Sequence, residues 1–144
     1  MEMIMVKRVL GLCMLVALIS ASTASAQAKP TTKSNDPVAD GRPLSRWIRD
    51  LKAESPQTRN AAAYEIAGMG PAAAPAVPAL IDALDDPVAA VRFPVTVALK
   101  EIGPAAKAAV PRLQKMMAEE VNDEIAASAR RALRQIDPSA VPTE

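Results

Sequence analysis

The chain has 144 residues with 17 basic and 16 acidic side chains, one cysteine and no histidine, a size that fits one small domain. The balanced charge excludes a general nucleic-acid or membrane-surface binder, since both depend on a basic excess. The lack of histidine, and of any cysteine after Cys13, excludes a zinc site of the Cys/His kind and catalysis by an imidazole or thiol.

The first 26 residues have the three parts of a secretory signal in order. Lys7 and Arg8 give the positive start, Val9 to Ile19 the apolar run, and Ala24-Ser25-Ala26 a cleavage site before Gln27. Eleven apolar residues fall short of the roughly 20 that span a bilayer. The expectation is therefore an exported protein, periplasmic or secreted, with no membrane span after cleavage. Cys13 lies inside the apolar run instead of following it, and reads as a small apolar residue, not as a lipid-attachment site. Loss of Glu2, Lys7 and Arg8 with this segment leaves 118 residues with 15 charges of each sign and no cysteine for a disulfide. Residues 27–43 are polar and rich in Pro, Thr and Asp. They predict a disordered linker, since so little apolar surface cannot offset the entropy of ordering.

From Leu44 the pattern changes. Leu44, Trp47, Ile48 and Leu51 recur at the spacing of one helix face. The stretches "LSRWIRDL" at 44, "VPALIDAL" at 77 and "VPRLQKMM" at 110 stand 33 residues apart. A second series follows them: "RNAAAYEIAGMGP" from 59, "RFPVTVALKEIGP" from 92 and "AASARRALRQIDP" from 126, the last offset by 34 through one inserted residue around Ala118 to Glu120. A period of this length marks a repeat architecture. It predicts an all-α fold, a short α-solenoid of three two-helix units over 44–138 (44–76, 77–109 and 110–138), followed by a tail at 139–144. Each unit reads as helix A, a turn, helix B and a joint. Ser55-Pro56 and Asp85-Asp86-Pro87 can stop one helix and cap the next. Gly70-Pro71 and Gly103-Pro104 close helix B, with Asp137-Pro138 a poorer terminator. In "GMGPAAAPAVPALIDAL" (68–84) Pro75 keeps the crossing segment from running on as a helix, and Pro78, like Pro111, falls in the first turn of a new one. Pro94 falls inside a B helix and predicts a kink or a late start near Arg92.

On "MGPAAAPAVPALIDALDDPVAAVR" (69–92), "EIGPAAKAAVPRL" (101–113) and the matching Arg59 and Arg92, the chain resembles the HEAT-like repeats of bacterial proteins, a group often named for its occurrence in phycobilisome lyases. The resemblance implies an interaction scaffold with B helices lining a concave face and A helices a convex one, and it does not of itself imply lyase activity. It also implies an inter-repeat polar contact made by the repeat arginine, which the third unit lacks because Ala126 takes its place.

Projection of the B helices at 100° per residue separates two faces. Ala62, Ala63, Ile66 and Met69 fall on the core side, with Val95, Thr96, Leu99 and Ile102, then Ala129, Arg130, Leu133 and Ile136. The opposite side carries Ala67 and Gly68 together with the candidate partner-binding residues Asn60, Tyr64, Phe93, Val97, Lys100, Arg131 and Arg134: an apolar and aromatic patch beside a basic edge. Trp47 is expected to cover the open end of the stack. Asp85 and Asp86 read as capping residues, "EEVNDE" (119–124) as a solvated turn, and no calcium loop, phosphate loop or nucleophile motif occurs. The expectation is a non-catalytic binder of a protein or peptide in the cell envelope, with no cofactor or metal, and monomeric. A lyase-like or enzyme-assisting module and a self-assembling repeat piece are the alternatives.

Overall fold

The computed structural model describes residues 35–141. The expected signal segment, residues 27–34 of the expected linker and the end of the tail lie outside them. A two-stranded antiparallel hairpin, β1 (Val38–Ala39) and β2 (Arg42–Pro43), leads into three A/B helix pairs. The pairs are α1 (Leu44–Asp50) with α2 (Pro56–Gly68), α3 (Val77–Ala83) with α4 (Ala89–Ile102), and α5 (Val110–Glu119) with α6 (Asp123–Ile136). This is the all-α solenoid that the 33-residue period predicts.

Helix starts follow local chemistry. Ser55 caps α2 by accepting from the Thr58 N–H, and Asn122 caps α6 by accepting from Glu124 and Ile125. Asp86 does not cap α4. The helix begins after Val88, and the Asp86 carboxylate accepts from the Val88 N–H two residues earlier than a cap would. The joints are 3₁₀ segments, Gly70–Ala76 and Gly103–Ala109. Gly70 and Gly103 open them at φ of 56° and 73°, where a side chain would be strained. Asp137 has no such freedom and ends α6 in extended backbone, its carboxylate accepting from Ser139.

The stack is held by the B helices, α2 packed along α4 and α4 along α6, while α1, α3 and α5 each pack on the B helix of their own pair and on the 3₁₀ joints. Three register positions explain the packing. Residues 61, 94 and 128 face the preceding repeat, so Ala61 is exposed while Pro94 and Ser128 are buried. Residues 65, 98 and 132 do likewise: Glu65 is half-exposed, whereas Ala98 and Ala132 are buried. Residues 63, 96 and 130 face the following repeat. Ala63 and Thr96 are buried, but Arg130, expected in the core, is only half-buried, and among the described residues no helix pair lies beyond it. Met69 is likewise only half-buried, and Ala67, expected on the open side, is buried. Thr96 donates to the Phe93 carbonyl at 2.7 Å, which leaves its hydroxyl oxygen to accept from Ser128 across the repeat boundary at 2.6 Å.

Two expectations are corrected. Within the segment read as a linker, residues 35–43 are ordered by polar contacts to α1 and not by apolar burial. Asp40 and Gly41, both at positive φ, make the two-residue turn. Asp36 accepts from Ser45, Leu44 donates to the Pro37 carbonyl, and Arg42 pairs with Asp50 at 2.7 Å. Arg42 also lies 4.0 Å above the Trp47 ring, whose indole N–H donates to the Ala39 carbonyl. Trp47 is thus buried beneath the hairpin, which among the described residues is the outermost layer of that end. Secondly, Pro94 neither delays α4 to Arg92 nor interrupts it. Proline removes the N–H that would bond to the Ala90 carbonyl, and Asn60 of the neighbouring α2 donates to that oxygen instead, at 2.5 Å.

Candidate functional site

Arg59 and Arg92 form two rungs of a ladder between repeats. Arg59 donates through Nε and Nη2 to both carboxylate oxygens of Asp86, at 2.6 and 3.0 Å, and through Nη1 to the Ala53 and Glu54 carbonyls of its own A/B turn. Arg92 repeats the arrangement with Glu120, at 2.8 and 2.9 Å, and the Asp86 carbonyl. The forked guanidinium suits this bidentate grip. Asp86 and Glu120 are held below the ordinary carboxylate range, first by the Arg59 and Arg92 hydrogen bonds respectively, against the opposing effect of burial. Arg59 is raised, chiefly by its hydrogen bond to Asp86. The residue inserted before Glu120 lengthens α5 and brings that carboxylate to Arg92. One repeat earlier the acid position is Ala53, and one repeat later the arginine position is Ala126, so neither end of the ladder leaves a rung half made.

A cleft of about 310 Å³ beside this ladder is lined mainly by charged residues of the second A/B turn, α4 and α5. Its charges are already paired: Asp86 with Arg59, Arg92 with Glu120, Asp85 with Arg112, and Lys115 with Glu119. Among the described residues no group of three or more potential metal-ligating side chains forms. No described helix is long and apolar enough to cross a membrane.

The B-helix layer is different in kind. Tyr64, Phe93, Ala89 and Ile125 border a groove of about 320 Å³ that reaches from α2 across α4 to the start of α6. A second hollow of about 350 Å³, bordered by Pro56, Gln57 and Val88, continues it. Both share Asn60 and Ala90, so the Asn60 bond to the Ala90 carbonyl forms part of the groove wall. Tyr64 is 49% exposed, the largest aromatic surface among the described residues.

The candidate residues of the sequence reading separate here. Tyr64 and Phe93 share the groove with Asn60, although the Asn60 amide is committed to Ala90. Phe93 and Val97 are half-buried against the core. Lys100 pairs with Glu101 at 2.8 Å. Arg131 and Arg134 are exposed on α6 and do not border the groove itself. Asn122, Glu124 and Ile125 do border it and were missed by the sequence reading. The inserted residue shifts the third repeat's register just before them, and Asn122 shows itself only as a helix cap.

A family model described as HEAT repeats matches residues 44–134. No curated protein matches the chain.

Proposed function

The chain belongs to the HEAT repeat family, and from that premise we propose that it is a non-catalytic scaffold that binds a protein or peptide along its B-helix face. The groove that crosses α2, α4 and the start of α6 beside the exposed Tyr64 carries this reading. It is concave, partly apolar and edged by groups that can donate or accept hydrogen bonds, as peptide-binding surfaces are. The A/B-turn cleft supports it by contrast, because its charges are already engaged with one another. The order of charge, apolar run and small-residue site in the first 26 residues supports a reading in which the scaffold is exported to the cell envelope or beyond it.

Affinity capture from the envelope fraction tests the reading when three baits are compared. The protein itself and a Lys115→Ala control on α5 are expected to retain the same partner. A Tyr64→Ala, Arg131→Ala, Arg134→Ala variant with unchanged helical circular dichroism is expected to lose it. Retention by the triple variant together with loss by the α5 control would move the binding surface to the A helices.

A further inference from the structure

Resting on the proposed B-face reading, we infer that the partner segment is an acidic peptide with an apolar or aromatic anchor, laid across the B helices with its carboxylates over α6. The 33- and 34-residue offsets put Tyr64, Val97 and Arg131 at one repeat position and Ala67, Lys100 and Arg134 at another. The first row runs from the exposed Tyr64 on α2 to a cation on α6, while the second ends in a cation but begins at the buried Ala67. Lys100 already holds Glu101. Arg131 and Arg134 are exposed, and among the described residues neither has an ion pair. Three residues apart, they stand on one side of α6 and can take one or two carboxylates together.

The acids of α6, Asp123 and Glu124, lie in its first turn, at the opposite end of the helix from Arg134. The charge on this face is thus segregated along α6: Glu124 borders the groove beside Tyr64, and the cations lie beyond it toward the other end of the helix, where the carboxylates of the partner would sit. Neighbouring packed helices stand about 8–10 Å apart. The distance from α2 to α6 is then about 20 Å, or roughly six residues of extended chain at about 3.3 Å each. The anchor and the carboxylates are accordingly separated by roughly six residues.

A random 12-residue peptide display library selected on the immobilised protein tests this. Selected peptides should be enriched in Asp and Glu, with one aromatic or large aliphatic residue at that separation. An Arg131→Glu, Arg134→Glu variant should bind those peptides about tenfold less tightly or worse and should select Lys and Arg instead. Tyr64→Ala should weaken binding without altering the charge preference. All three substituted positions are exposed, and far-UV circular dichroism verifies that the variants fold. Peptides selected without acidic enrichment, or an unchanged preference in the charge-reversed variant, would overturn this inference and leave the scaffold reading standing. Failure to select any peptide overturns both. Binding to vesicles of anionic phospholipid without peptide selection would replace the peptide by a lipid surface and likewise overturn both.

Discussion

Two pairs of residues at the boundaries between repeats do work that their identities alone do not reveal. Asn60 stands on the open face and reads from the sequence as a contact residue, yet its amide satisfies the Ala90 carbonyl that Pro94 leaves without a partner. Removing it should cost about 1 kcal/mol of stability. In a Pro94→Ala background, where the helix supplies its own N–H, the cost should largely vanish. A double-mutant cycle on urea unfolding measures that coupling, and additive effects would refute it. Thr96 and Ser128 make a second such pair. Thr96→Val leaves the Ser128 hydroxyl buried without its partner and should destabilise by about 1–3 kcal/mol, whereas Thr96→Val with Ser128→Ala should be close to neutral. Neither pair was legible beforehand, because each joins residues roughly one repeat apart, and projection of single helices sees only one partner at a time.

Among the elements, the A/B turns carry the polar fastening. Asp86 and Glu120 have folded pKa values depressed by their arginines, against unfolded values of about 3.9 and 4.3. Carboxylates of this kind give stability that is complete above the unfolded values and is lost as pH falls through the folded ones. The thermal midpoint should therefore be flat between about pH 5 and 7 and fall below about pH 4. Asp86→Asn should lower the plateau and make the acid limb shallower, and an unchanged acid limb would remove Asp86 from that role. The repeat arginines and the one-residue insertion were visible in the sequence, but the insertion's purpose was not. It becomes clear only when Glu120 is seen to meet Arg92. The hairpin was missed for a different reason: it is ordered by hydrogen bonds and a cation over an indole, which an argument from apolar content does not register. Arg42→Ala should loosen it and shift Trp47 fluorescence to the red, with far-UV circular dichroism nearly unchanged.

For the whole molecule, the period was enough to give the number and order of helix pairs, since each unit buries its face only against the next. What the period could not give was the treatment of the two ends. Glu65 takes the place of a buried alanine on one end, and Arg130 with Ala126 takes the place of a small residue and a rung arginine on the other. Polar residues at the stacking positions make the ends poor substrates for further stacking. A mass independent of concentration is therefore expected by light scattering. An Ala53→Asp, Glu65→Ala, Ala126→Arg, Arg130→Thr variant, which restores the stacking residues and both halves of a rung, should associate as concentration rises. If it remains the same size as the unaltered protein, these residues do not govern assembly.

The bond between Asn60 and the Ala90 carbonyl also makes the two side chains unequal in how freely they can be exchanged. With an alanine at 94 the helix would serve that oxygen itself, and a change at 60 would cost little. With proline at 94, loss of Asn60 leaves the oxygen to water alone on the groove wall, so the same change at 60 costs more.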